Sequence, residues 1–115
     1  LRAMRRRLAT FSGRTARRLE ARRRWGVEVA AAASVPGSQH PRHSHWLIPV
    51  RVADVARARA ALRAVGIDGS SPSNLVSVGP APGLLEALVF VPAYPELPRA
   101  ARRSLIGALE ALAPC

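Results

Sequence analysis

Two apolar stretches interrupted or ended by proline decide the fold: residues 45–50, HWLIPV, and residues 88–98, LVFVPAYPELP. Each apolar run has the length of a strand, and the prolines prevent regular structure from continuing. The sequence therefore predicts two buried strands, over 46–52 and 88–91, in one sheet. Phe90, one of only two phenylalanines, is expected to supply a large share of the core.

The segment after the first stretch predicts a helix over 55–65. Asp54 is a good N-cap for this helix, and Gly66 follows it at the position where glycine commonly ends helices. Apolar residues recur on one face of the segment, so that face, including Leu62, is expected to point inward.

The last segment predicts a helix that starts at Pro98 and ends near Leu112, with Leu105 and Leu109 in the core. A short additional strand is predicted over 74–78, between two loops rich in turn-forming residues. The order of elements predicts an α+β fold, in which helices pack on one side of a small sheet of about three strands.

The N-terminal segment predicts a long basic helix. Leu1, Met4, Leu8 and Phe11 recur at helical spacing and form one stripe, and residues 1–24 carry ten arginines but a single acid. The helix is expected to run to Ala33, with a possible interruption at residues 12–13. The predicted organisation is an arginine-rich linking helix over 1–35 and a small domain over 36–115.

Composition limits the possible partners. The chain carries a net charge of +11, and clustered arginine is typical of proteins that bind nucleic acid. No aromatic stacking residues alternate with the arginines, so nucleic acid is not the expected partner; an acidic protein neighbour is the alternative. No apolar run reaches the roughly 18 residues of a membrane span, so no membrane partner is expected. The single cysteine, Cys115, favours a cytoplasmic protein.

The two stretches, in this order, resemble the C-terminal small domain of fold-type-I, pyridoxal-phosphate-dependent aminotransferases. They are most similar to the DegT/DnrJ/StrS group, which aminates keto-sugars, and VPAYPELP, residues 91–98, is the most specific match. The resemblance covers residues 45–113 well and residues 1–35 loosely. It implies a parent enzyme that acts as a homodimer, in which the small domain helps to close the active site.

All 18 basic residues are arginine, and the chain contains no lysine. Enzymes of the resembled group hold pyridoxal phosphate as a Schiff base on a lysine amine, which arginine cannot replace because it stays protonated. The chain is therefore expected to be an inactive fragment, without catalytic or cofactor-binding residues, whose N-terminal cofactor domain is missing. A start at Leu1 rather than methionine also predicts a longer reading frame. The alternative is a stand-alone, non-catalytic α+β domain whose arginine-rich arm binds an acidic partner or nucleic acid.

Four residues are candidates for contact with the substrate of the parent enzyme. His43 and His45 lie in a polar loop with His40. One of them could lie near the mouth of the active site of the assembled enzyme, or the loop could simply lead into the strand. A zinc site is not expected there, because no cysteine or carboxylate accompanies the histidines. Ser73 and Asn74 lie where the resemblance implies a region that, in many members of the resembled group, carries a histidine and aromatic residues. They could form hydrogen bonds with a substrate, or serve ordinary turn chemistry.

Overall fold

The computed structural model describes residues 1–41, 43, 45–72, 75–76, 83–94 and 96–112. It has an α+β fold, as predicted. The elements in chain order are α1 (Arg2–Ala9), α2 (Phe11–Ala32), β1 (Leu47–Arg51), α3 (Val55–Ala64), a 3₁₀ turn (Leu85–Ala87), β2 (Leu88–Pro92) and α4 (Arg99–Glu110).

The two proline-bounded stretches form one antiparallel pair. Ile48 lies opposite Val91 and Val50 opposite Val89, and all four side chains are almost completely buried. Since side chains alternate between the two faces of a strand, this register points these four toward the same side. The prediction that the two stretches share a sheet is confirmed.

The described sheet has two strands rather than about three. Leu75 and Val76, within the strand predicted over 74–78, have no strand structure and are 55% and 84% exposed; the rest of that segment lies outside the described residues. Ser70 instead forms an isolated bridge with Phe90, with backbone hydrogen bonds of 3.2 and 2.7 Å. The backbone groups of Phe90 that face away from β1 are therefore paired to a loop.

The core lies between the sheet and three helices on one side of it. The spacing of apolar residues predicts that α3 and α4 bury Leu62, Leu105 and Leu109, and all three side chains are buried. The helices contribute to one cluster with the inward strand residues, and the largest completely buried side chains are Trp25, Ile48, Leu62, Leu105, Leu109, Val29, Val50, Val89 and Val91.

The prediction that Phe90 supplies a large share of the core is wrong. Phe90 pairs with Pro49 and is only half-buried. Ile48, Val50, Val89 and Val91 point to the helices, so the alternation of side chains places Phe90 on the other face. Trp25 of α2, completely buried, is the large aromatic residue of the core instead.

Both ends of α3 have the predicted caps. The backbone N–H of Arg57 donates to Oδ1 of Asp54 at 2.9 Å. At the other end, Gly66 has a φ of +78°, and the N–H of Ile67 donates to the carbonyl of Leu62 at 2.9 Å. This is the bond that closes a helix with a glycine in the left-handed region. Local sequence signals thus determine the bounds of this helix.

The N-terminal helix is interrupted at Thr10, not at residues 12–13. The Thr10 hydroxyl donates to the carbonyl of Arg6 at 3.1 Å, and the Arg14 guanidinium donates to the carbonyl of Arg7 at 2.7 Å. Side chains that bond to helical carbonyls bend helices, which accounts for the position of the break. α1 has no buried residue.

The core reaches into α2, because Trp25 and Val29 are completely buried. The predicted boundary between residues 1–35 and 36–115 stays a prediction; the buried part of the chain starts near Trp25. Within the described residues, no helix combines the length and the apolar character that a bilayer crossing requires.

Candidate functional site

The loop before β1 brings two of the four candidate residues together. The backbone N–H of His45 donates to Nδ1 of His43 at 2.9 Å, and the two ring centroids are 4.2 Å apart. A side chain that accepts from the backbone two residues later is the arrangement that Asn and Asp form in turns. His43 thus shapes the loop by replacing a backbone acceptor.

His45 is buried in a strained backbone conformation. Its φ is +49°, the single positive value among the described residues other than glycine, and its side chain is 5% exposed. Residues with side chains rarely adopt this region, so the surrounding packing must hold it. Its Nδ1 is buried without a hydrogen-bond partner, which is uncommon for a polar atom in a folded protein.

Gly26 of α2 provides the space for the His45 ring. A Cβ atom built on Gly26 would lie 2.4 Å from Nδ1 of His45 and 2.7 Å from its Cε1. Because real Cβ atoms do not approach other atoms this closely, any side chain here would displace the ring. A glycine inside a helical segment is a signal of close packing, but the sequence does not reveal which group approaches it.

Burial and two neighbouring ionisable groups both lower the pKa of His45. Burial lowers the pKa of His45 below its ordinary value of 6.5, and His43 and Arg23 lower that pKa further. Arg23 also anchors the loop, since its Nη2 donates to the carbonyl of Pro41 at 2.9 Å. His45 is therefore a neutral, packed imidazole at neutral pH.

Trp25 connects three elements, a role that the sequence does not reveal. Its Nε1–H donates to the carbonyl of Pro92 at 3.0 Å, which links α2 to the end of β2. The guanidinium of Arg102, on α4, lies 5.3 Å from the centroid of the Trp25 ring, within range of a cation–π interaction. The Nε of Arg102 also donates to the carbonyl of Leu97 at 3.2 Å. The VPAYPELP segment is thus bonded to the core near both of its ends.

Ser73 and Asn74 lie outside the described residues. The start of their loop is structural: Gly69 is buried, and a Cβ on it would lie 2.7 Å from Leu62 and 2.9 Å from Val89. The Nε of Arg59 donates to the Gly69 carbonyl at 3.1 Å, and Ser70 pairs with Phe90. Hydrogen bonds at Gly69 and Ser70 therefore hold the start of this loop against the core.

A pocket with a volume of about 530 Å³ lies beside β1. Its lining is apolar except for Ser34 and Arg51, and it contains no histidine or acid; the lining residues are Ala33, Ser34, Val50, Arg51, Val52, Ala53, Ala87, Leu109 and Leu112. Nowhere in the described parts of the chain do three histidine, cysteine or acidic side chains group closely enough to hold a metal ion.

Comparison with known proteins identifies no relative: no family model, no curated protein and no solved structure matches the chain. The residues present do not fit covalent attachment of pyridoxal phosphate, because no lysine occurs anywhere in the sequence. The two histidines that the loop brings together shape its turn. Of the two, His43 is half-buried, so its ring is the one that a ligand could contact.

Proposed function

We propose that this chain is the C-terminal small domain of a pyridoxal-phosphate-dependent aminotransferase whose substrate is a keto compound of the keto-sugar class. The observation that carries the proposal is the pairing of β1 with β2. These are the two stretches that bear the family signatures, and they lie side by side with Ile48 opposite Val91. Residues 91–98 then lead directly into α4 at Arg99, as the resemblance requires.

Exposed apolar residues on the N-terminal helix support the proposal that a neighbouring domain is missing. Leu1, Met4, Leu8 and Phe11 are 97%, 66%, 67% and 59% exposed. Contiguous apolar residues on a surface commonly mark a binding surface, since burying them is favourable. In the proposed parent, the cofactor domain covers this stripe, and its lysine holds the cofactor that this chain cannot attach.

The part that this chain plays is to shape and close the substrate side of the active site. Between the two histidines, His43 is the one suited to contact a substrate, because its ring is half-buried whereas that of His45 is enclosed. Its Nδ1 accepts from the backbone, so its Nε2 is the atom left to face a ligand. Ser73 and Asn74 stay candidates for the same surface.

Borohydride trapping tests the proposal. The chain alone, incubated with pyridoxal phosphate and reduced, is expected to carry no adduct on any side chain. The longer reading frame, expressed as one protein, is expected to contain a lysine that becomes labelled under the same conditions. A reduced side-chain adduct on residues 1–115, or a natural reading frame without a cofactor domain, would contradict the proposal; modification of the terminal amine would not.

A second candidate is a non-catalytic domain whose basic arm binds an acidic partner or nucleic acid. It is favoured by α1, which has no buried residue, and by the ten arginines of residues 1–24. Binding to DNA and RNA of defined sequence, measured across a salt series, separates the candidates. Tight, sequence-selective binding near physiological salt would favour the second; weak binding that is lost steeply with salt favours the first, because counterion release alone then explains it.

A further inference from the structure

The hydrogen bond inside the histidine loop depends on protonation. Nδ1 of His43 accepts from the N–H of His45 at 2.9 Å, and it can do so only while Nδ1 carries no proton. An imidazolium is a donor at both nitrogens. Protonation of His43 therefore removes the acceptor that holds the loop in its turn.

The position of His45 provides no hydrogen-bond partner for a second proton on Nδ1. Its ring is pressed against Gly26 of α2, its Nδ1 has no partner, and its backbone is in the left-handed region at φ +49°. A buried charge without a partner strongly destabilises a folded state. Protonation of His45 is therefore expected to weaken the contact between its ring and α2.

The ionisable groups that act on His45 have the wrong sign to stabilise a charged ring. They are His43, from its own loop, and Arg23, from α2. Arg23 is fixed beside the loop by its hydrogen bond to the carbonyl of Pro41. Among the described residues, the two groups that shift the pKa of His45 are neutral or positive, so acidification adds repulsion rather than a new ion pair.

We propose that His43 and His45 form a pH-sensitive lock, which holds the start of β1 against α2 when both rings are neutral and releases it when they are protonated. The proposal does not depend on the aminotransferase assignment. It concerns the conformation of the loop, whatever ligand the loop faces.

The direction of the pH dependence follows from linkage. The pKa of His45 is lowered in the folded chain, so as the pH falls below 6.5 the unfolded chain takes up the proton first. The folded state therefore keeps its full stability above this pH and loses stability as the pH falls from 6.5 through the lowered pKa. Each pH unit between the two values corresponds to roughly a tenfold loss in the folding equilibrium constant.

The test uses the whole chain with Trp46→Phe, which leaves Trp25 as its single tryptophan. Trp46 is 69% exposed, whereas Trp25 adjoins Gly26 and is completely buried. Emission of Trp25 and the thermal midpoint are measured between about pH 7.5 and pH 5, a range in which histidine titrates and carboxylates largely do not. We expect the midpoint to fall and the emission of Trp25 to change below pH 6.5.

Matched variants separate the lock from a general effect of acid. His43→Asn keeps an acceptor for the N–H two residues later at every pH, and His45→Asn removes the titrating ring while asparagine tolerates a positive φ. Each is expected to reduce the pH response, and the two together to abolish it. His40→Asn, at an exposed position of the same loop, is expected to retain the full response. Proton NMR of the histidine Hε1 signals gives the order of titration independently.

Two outcomes would overturn the proposal. One is a wild-type chain whose thermal midpoint and Trp25 emission are constant across this pH range. The other is a response of unchanged size in the double variant. If His45→Asn does not fold, His43→Asn still decides the matter, because it retains the hydrogen bond at low pH and should be more stable than wild type there.

Discussion

The two ends of the N-terminal helical segment carry apolar residues at similar helical spacing, and their environments are opposite. Leu1, Met4 and Leu8 at the first end are at least 66% exposed, whereas Trp25 and Val29 at the other end are completely buried. Helical spacing thus predicts which side of a helix is apolar, but not whether another element covers that side. At the second end, α4 and the sheet cover the apolar side of the helix. The spacing of residues within one helix cannot predict these contacts.

Trp25→Ala is expected to cause the largest loss, about 3–5 kcal/mol of unfolding free energy, because it empties a completely buried site. It also leaves the carbonyl of Pro92 without its donor. Urea unfolding followed by far-UV circular dichroism measures the loss. The matched change at the exposed end, Phe11→Ala, is expected to shift stability by less than about 0.5 kcal/mol, since Phe11 is 59% exposed. Similar losses of unfolding free energy for the two variants would show that the first end of the N-terminal helical segment is packed against another part of the protein in solution.

Two glycines of α2 allow a finer comparison with a single added methyl group. Gly26→Ala is expected to destabilise by roughly 1–3 kcal/mol, because the new Cβ would displace the ring of His45. Gly13→Ala has nothing within 4 Å of the new Cβ and is expected to stabilise the helix by up to about 1 kcal/mol. Thermal melts of both variants check the opposite signs. A Gly26→Ala variant as stable as the wild-type chain would refute the contact between α2 and the histidine loop.

The smallest expected difference is at the helix caps. Asp54→Ala is expected to cost about 1 kcal/mol, because its carboxylate accepts from the N–H of Arg57 at 2.9 Å. Thr10→Ala is expected to cost less than about 0.5 kcal/mol, since Thr10 makes no capping bond to α2 and the arm before it packs against no core. Denaturation midpoints compared at one pH detect the difference, and equal losses would mean that α1 is coupled to the core.

Local chemistry explains what the sequence predicts well. Prolines and short apolar runs place β1 and β2, and Asp54 and Gly66 place the ends of α3, because each signal acts within a few residues. The predictions that fail depend on tertiary structure, that is, on strand register and on which segments pair. Phe90 is half-buried because the register assigns the inward face to its neighbours, and the strand expected over 74–78 is absent at Leu75 and Val76.

The candidate site was predictable only as a list of residues. Three histidines in one loop are visible in the sequence, and so is Gly26 within a helix. The sequence cannot show that His45 rests on Gly26, because this contact joins positions 19 residues apart through a backbone turn with positive φ. The role of Trp25 is hidden for the same reason, since its partners Pro92 and Arg102 are distant along the chain.

Pro49 has a consequence for how the protein behaves at high concentration. It stands opposite Phe90, whose backbone groups bond to Ser70 on the far side, so the backbone nitrogen of Pro49 faces the outer edge of β1. That nitrogen has no hydrogen to donate, and the next outward N–H, that of Arg51, already donates to the carbonyl of Ser34 at 2.8 Å. A strand from a second molecule would find no free donor at Pro49 or at Arg51 on this edge. Pro49 thus makes this edge of the described sheet a poorer template for a further strand.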